Sequence, residues 1–577
     1  MTFDAAECAS LGAALDSALE AWSAETCAIE SDRDQDRIRY TYADLREVAH
    51  GLSAWFREQG LSPGDRAAII LSNQSAWHVS AVAALHAGAV LVPVDFKLSG
   101  PEQVALLTHC RAPFVVVEFH LWRAMAAAAE FTGLPAKHVL VVGAPDNGEL
   151  PSSGGASVVR WEDARATPPP GFQPVPRART DIASIVYSSG TSGRAKGCQL
   201  THDNYLEQFR ALRELHPMKP GVVYLSILPT NHAIDFMVGF IGPYLCGATV
   251  VHLRTLRPEF VRSSFVKYRV THVALVPLVL RNLRTGLEQR FAELSPLRKI
   301  GLAVGRFLHR LLSGGRPNAA LGRIVLRPVH AAFGGRLEAI FVGGAYSDPE
   351  TLRFFYDLGI PVSNGYGLTE SGTAVTLDRL DPPRPETVGQ PLPGTEVRIG
   401  SPGEDGAGEI LVRSRTVMAG YLDDPELTAE TIVDGWLHTG DLGRIDPEGN
   451  LVIVGRRKNM IVTAGGKNVY PEDVEVAFAS LPVEEFCLFA AHYLWPEEAR
   501  DERLILVARP GEKTDPVALP DLIRNLNRRL PDYKRVEGVL LWEDEFPRTA
   551  SLKVKRGVLA ERVAAEADPA RDLIAVP

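Results

Sequence analysis

Cysteine is scarce and scattered: Cys8, Cys27, Cys110, Cys198, Cys246 and Cys487 are all that 577 residues contain, with no C-x-x-C or other metal-ligand spacing among them. Neither a zinc framework nor a disulfide scaffold is indicated, and a reducing, cytoplasmic setting is expected. Long apolar runs are missing too. The nearest, 81–92, is interrupted by His86 and Gly88 and stops at Pro93, so it reads as a buried helix leading into a buried strand rather than a membrane span. Residues 1–15 carry Asp4 and Glu7 and lack a basic start before an apolar stretch, so no signal peptide is expected. A basic excess is absent as well: the formal charge is −9, which disfavours a dedicated nucleic-acid binder and points to small-molecule partners. No short fixed-period repeat is found.

What is present is an alternation of short β-branched runs with helical patterns. Strands are expected at 66–71, 89–94, 114–117, 139–142, 182–187, 222–228, 248–253, 272–276 and 337–342, and a helix at 76–86. This recurrence predicts α/β layers with parallel sheets. The stretch 145–176, rich in Pro, Gly and Ser, reads as an irregular connection. After Pro393 short strands at 395–399, 408–413 and 451–454 suggest a β-rich subdomain. From 457 the chain has its own alternation, with 473–480 and 504–507, which predicts a small α+β C-terminal domain. The expected division is therefore 1–456 and 457–577.

Chemistry concentrates in a few motifs. The run Y-S-S-G-T-S-G-R-A-K-G at 187–197 follows a strand and combines glycines for tight turns, hydroxyl donors and a lysine charge. Those are the requirements of a phosphate-wrapping loop, and Ser188, Ser189, Gly190, Thr191, Ser192, Gly193 and Lys196 would supply it. It is not the common P-loop, whose G-x-x-x-x-G-K-[ST] spacing is not met. Downstream, F-V-G-G-A at 341–345 contains Gly344, and N-G-Y-G-L-T-E-S at 364–371 contains Tyr366, Gly367, Thr369 and Glu370. An aromatic ring can stack on a purine, a threonine can donate to phosphate, and a glutamate can help to hold Mg²⁺. In G-W-L-H-T-G-D at 435–441, Asp441 is either a plain turn acid or a carboxylate accepting both ribose hydroxyls.

Taken together and in this order, these motifs resemble the adenylate-forming superfamily of acyl-CoA synthetases, nonribosomal peptide adenylation domains and luciferases. The likeness covers nearly the whole chain and is nearest to long-chain fatty acyl-CoA synthetases. It implies ATP, Mg²⁺ and coenzyme A, with Thr191 and Glu370 at the metal and Gly344, Tyr366, Gly367, Thr369 and Asp441 at the nucleotide. Within G-R-R-K-N-M-I-V-T-A-G-G-K-N-V-Y-P-E-D-V-E at 455–475 it places Arg456 near ribose and phosphate, Lys458 at a hinge between two domains, and Gly465 and Gly466 beside the pantetheine arm. In F-P-R-T-A-S-L-K-V-K-R at 546–556 it makes Lys553 the catalytic lysine that offsets charge at the α-phosphate. Two departures stand out: Ala195 where the family usually has Pro, and Leu552 where it commonly has Gly. His232, in L-P-T-N-H at 228–232, either sits near the acyl carboxylate or is a structural histidine.

The resemblance implies a fatty acid as substrate, activated to acyl-AMP and then transferred to CoA. Two alternatives are a ligase loading the phosphopantetheine of a carrier protein and a catalytically impaired relative acting as a binding protein. The apolar stretches 236–251 and 274–280 suit an acyl tunnel and a buried core equally well. Between Ser295 and Gly335 there is no acidic residue, while Arg298, Lys299, Arg306, Arg310, Arg316, Arg323 and Arg327 are spread among apolar ones. That segment is either a solvated helical face or a surface for peripheral contact with an anionic membrane.

Overall fold

In the computed structural model, residues 4–127, 134–146, 148–152, 155–165, 167–188, 195–404, 406–462, 468–495, 503–511, 514–548 and 554–576 are described. The chain forms two compact units, one of residues 1–396 and 412–437, the other of 397–411 and 438–577. The architecture is mixed α/β, as the alternation of strands and helices predicts.

Two large sheets build the first unit. One runs in the order Gln390–Pro391, Thr376–Leu377, Val362–Tyr366, Ala339–Val342, His272–Leu275, Val223–Ser226, Thr249–Leu253, Thr26–Asp32, Gln35–Thr41. Its central strands are parallel, and each is short and almost wholly buried, as strands covered on both faces must be. The other sheet runs Gly420–Tyr421, Lys196–Thr201, Ile182–Ser188, Val90–Pro93, Arg66–Ile70, Phe114–Glu118, His138–Val142, Ser157–Arg160. The helix Ser75–His86 buries every residue, the polar Ser75, His78, Ser80 and His86 included, and packs in the largest core cluster. It leads into the buried strand Val90–Pro93, in agreement with the reading of 81–92.

Two expectations need correction. The connection at 145–176 is not wholly irregular: Ser157–Arg160 adds to the edge of the second sheet against His138–Val142, because the β-branched pair Val158 and Val159 outweighs its Pro- and Gly-rich surroundings. The strand expected at 222–228 stops at Ser226, since the Leu228 carbonyl accepts from Asn73 Nδ2 at 2.6 Å and the chain turns there.

In the second unit, Leu451–Arg456 pairs antiparallel with residues 441–445 of the preceding strand. A four-stranded sheet follows in the order Val483–Ala490, Leu504–Pro510, Val536–Leu541, Leu573–Ala575, with the helices Pro471–Ala477, Leu519–Asn527 and Arg556–Glu566. Apolar clusters cover both of its faces. Arg556 Nη2 reaches both Glu475 oxygens at 2.5 and 2.6 Å, tying the start of one helix to another. All six cysteines are free; five are buried and Cys8 is half-buried. Among the described residues no helix is long and apolar enough to cross a membrane.

Candidate active site

The strands Ile182–Ser188 and Lys196–Thr201 are antiparallel partners, and their register sets Ser188 opposite Lys196. The two ends of the expected phosphate loop are therefore held side by side by the ladder. Ser189, Gly190, Thr191, Ser192 and Gly193 lie outside the described residues. Ser188 Oγ donates to Glu370 Oε1 at 3.3 Å, although 182 residues separate them. Tyr421 OH donates to the same oxygen at 3.0 Å, and the Lys196 ammonium lies 5.3 Å from the Tyr421 ring centroid. The Glu370 carboxylate is thus fixed through one oxygen; among the described residues Oε2 accepts no hydrogen bond. Burial, and then the Glu370 charge, push the Tyr421 phenol far above its usual range, so Tyr421 remains a donor. Cys198 is pushed up for the same two reasons, which fits a structural thiol.

Parallel strands deliver the next group. Ala339–Val342 ends at Gly343 and Gly344, and Val362–Tyr366 ends at Gly367, so both strands open at the same carboxyl edge. Gly344 has φ +83°, a left-handed turn that suits glycine. A Cβ on Gly367 would stand 1.8 Å from the Thr373 carbonyl oxygen, so the chain there tolerates no side chain. Thr369 and Glu370 follow on a single 3₁₀ turn, Thr369–Ser371.

An apolar pocket opens on these glycines. Gly344, Tyr366 and Gly367 line it with Met237, Val238 and Phe341, among others, and Arg213 and His216 add polar groups to an otherwise greasy wall. His216 is half-buried, which lowers its pKa and keeps the ring neutral near pH 7.

His232 lies just outside this lining, two residues before Ile234 of the pocket wall. Its Nε2 is 3.8 Å from Asp95 Oδ2. The loop that carries it is built on a buried acid that sequence reasoning missed. Asp235 accepts from Tyr224 OH at 2.7 Å and from the Ser226 and Thr230 hydroxyls at 3.0 Å each. Burial raises its pKa to about 6, with the three donors holding it from rising further. No local pattern marks Asp235, because two of these donors sit on the strand Val223–Ser226.

In the second unit, Asp441 and Arg456 face each other across the strand pair, with Arg456 Nε 2.8 Å from Asp441 Oδ1. Asp441 is buried, 4% exposed, beside that guanidinium. Glu409 accepts from Gly440 N at 3.0 Å and Arg457 Nη1 at 3.1 Å, which fixes the turn before Asp441. Lys458 has its pKa lowered by burial and by the Arg456 charge. Gly465, Gly466, Leu552 and Lys553 lie outside the described residues. The ends of the stretch holding Lys553 are joined nonetheless, by a bridge between Arg548 and Val554 and by Lys555 N donating to the Pro547 carbonyl at 2.7 Å.

Ser188, Lys196, Gly344, Tyr366, Gly367, Thr369 and Glu370 thus form one neighbourhood in the first unit, and Asp441, Arg456 and Lys458 another in the second. Tyr421 is the residue of the first group that sequence reasoning missed; it stands on the two-residue strand Gly420–Tyr421, too short to signal itself.

A carboxylate and a lysine at the ends of paired strands, with an apolar pocket at the carboxyl edge of a parallel sheet, are the arrangement of a nucleotide-using enzyme of the α/β class. A family model described as AMP-binding enzyme matches residues 16–422, and the chain belongs to that family. It is 29% identical to the long-chain-fatty-acid CoA ligase FadD15 of Mycobacterium bovis, over 94% of this chain and 92% of that one. It is 29% identical to a feruloyl-CoA synthase of an Amycolatopsis species, over 90% and 94%. Among solved structures, ATP-bound MatB from Rhodopseudomonas palustris aligns with a TM-score of 0.74 at 24% identity, covering 95% of this chain and 99% of that one.

Proposed function

We propose that this protein joins an apolar carboxylic acid, of the long-chain fatty class, to coenzyme A by way of an acyl-adenylate. The observation that carries the reading is the apolar pocket lined by Gly344, Tyr366 and Gly367, the last of which precedes Glu370 by three residues. An acid seated there presents its carboxylate to the nucleotide while its chain displaces water from Met237, Val238 and Phe341.

The carboxylate attacks the α-phosphorus of ATP and pyrophosphate leaves. The thiol of coenzyme A then attacks the acyl carbonyl and AMP leaves. Lys196 and the hydroxyls of the hairpin hold the phosphates, Asp441 takes the ribose hydroxyls, and Lys553 offsets charge as the bond to phosphorus forms. His232 lies near the carboxylate. Glu370 has one carboxylate oxygen open for a cation, a fit for Mg²⁺ shared with the Thr191 hydroxyl, and the ion would supply charge compensation to the phosphates. A division of the chain at 456 and 457, with a turn about Lys458 between the two half-reactions, belongs to the same proposal. Gly465 and Gly466 would then let the backbone pass close to the pantetheine arm.

Pyrophosphate exchange into ATP with a panel of acids tests the reading. Saturated acids of rising length and ferulate are the informative members, the latter because Arg213 and His216 add polar groups to the lining. Exchange rising with chain length is expected; exchange with no acid would end the enzyme reading, and ferulate outpacing palmitate would replace its substrate class. Product analysis with palmitate and either coenzyme A or a holo-carrier protein separates the two acceptors. Ala374 lines the same pocket. Ala374→Trp should lower kcat/KM for palmitate roughly tenfold while sparing a short acid, since filling the pocket removes room for a few methylenes.

A further inference from the structure

The helix Pro296–Ser313 shows solvent a continuous apolar stripe. Leu297, Ile300, Val304, Phe307 and Leu311 recur at steps of three and four, which places them on one face. They are 82, 61, 50, 64 and 64% exposed, and Ile324 of the next helix adds another side chain at 77%. Single exposed apolar residues are ordinary, but a row of them along a helix of ~27 Å is not.

The rotation of this helix is fixed from its other side. Gly305 and His309 are buried, and a Cβ on Gly305 would meet the Val325 carbonyl oxygen at 2.6 Å. Arg306 and Arg310 both reach Asp357, at 2.9 and 2.7 Å. These two arginines therefore seat the helix and are not free cations. The stripe points outward because the seat holds it there.

The surroundings identify the occupant. No acidic residue occurs between 295 and 335. Arg298, Lys299, Arg323 and Arg327 have no ion-pair partner among the described residues. A second copy of the chain would bring the same cations against themselves, whereas a surface that is apolar inside and negative at its boundary matches both features. We propose that this face docks on an anionic lipid bilayer, with Ile300, Val304, Phe307 and Leu311 entering the acyl boundary and Arg298, Lys299, Arg323 and Arg327 meeting the headgroups.

Flotation of the full chain with vesicles of phosphatidylcholine, with and without phosphatidylglycerol, tests this without any activity readout. Binding to the anionic vesicles is expected. Ile300→Glu/Phe307→Glu should weaken it roughly tenfold or more. Arg298→Glu/Lys299→Glu should weaken it several-fold and reduce its salt sensitivity. Both variants should keep the parent melting temperature, because the changed side chains are exposed. Absence of parent binding, equal binding to neutral vesicles, or a parent dimer that Ile300→Glu/Phe307→Glu converts to monomer would each overturn the proposal.

Discussion

Glu370→Gln lowers the rate of ATP–pyrophosphate exchange by about 10³-fold while leaving the melting temperature within a degree or two of the parent. The amide keeps an oxygen for the Ser188 and Tyr421 hydroxyls, so the local hydrogen bonds survive and only the charge is lost. If the carboxylate holds a cation against the phosphates, its charge is what the reaction uses, and a neutral isostere cannot replace it. Tyr421→Phe removes one of two donors to that oxygen and should cause a smaller fall, about tenfold. Comparing the variants by exchange rate and by ATP affinity separates charge from positioning. A Glu370→Gln enzyme within a few-fold of the parent would show that Glu370 is a structural acid.

Stability should collapse on mild acidification, between about pH 6.5 and pH 4. Burial lowers the pKa of nine described histidines of the first unit, five of them furthest: His86 and His252 to about 3, His202 and His272 to about 4, and His78 well below its usual range. In the unfolded chain each titrates near 6.5. Between these values the unfolded chain binds protons that the folded chain refuses, so stability is full above pH 6.5 and is lost as pH falls. Each such group removes at most ~1.4 kcal/mol per pH unit. Asp235, raised to about 6, and Asp378 and Glu475, also raised by burial, work in the opposite sense, since the folded chain gains their protons before the unfolded one does, and they offset part of the histidine effect. The remainder, several kcal/mol per pH unit, rivals the whole stability of an ordinary domain. Thermal melts at pH 7.5, 6.5 and 5.5 should show midpoints falling by more than about 10 °C, with proton uptake on unfolding. Equal midpoints at pH 7.5 and 5.5 would contradict the burial of these rings as neutral groups.

The layered α/β fold was legible because short strands buried on both faces leave strong local marks: 66–71, 114–117 and 139–142 match observed strands to within a residue or two at each end. One segment that carries its own chemistry, N-G-Y-G-L-T-E-S, could be singled out from sequence, and the structure sets its Glu370 against Ser188, at the start of the glycine-rich run. The candidate site was illegible where a residue acts through distant partners. Tyr421 meets Glu370 across 51 positions and Ser188 meets it across 182, and no periodicity encodes such a meeting. The basic amphipathic segment shows the same limit. Its cations and apolar residues could be read off, but Asp357 lies 47 positions beyond Arg310, so sequence alone could not tell which arginines are occupied. The short strand at Ser157–Arg160 was hidden because turn formers on either side dominate the composition.

The burial of the thiols has a practical consequence. Five of the six are enclosed, and for Cys8, the half-buried one, burial and Asp4 raise the pKa, which slows the reaction of the one thiol that solvent reaches. A colorimetric thiol reagent added to a working assay would therefore report disappearance of a thiol acceptor such as coenzyme A against an almost blank protein. The same reagent, added as the solution is acidified and returned to neutrality, would count molecules that failed to refold, because each exposes up to six sulfurs at once.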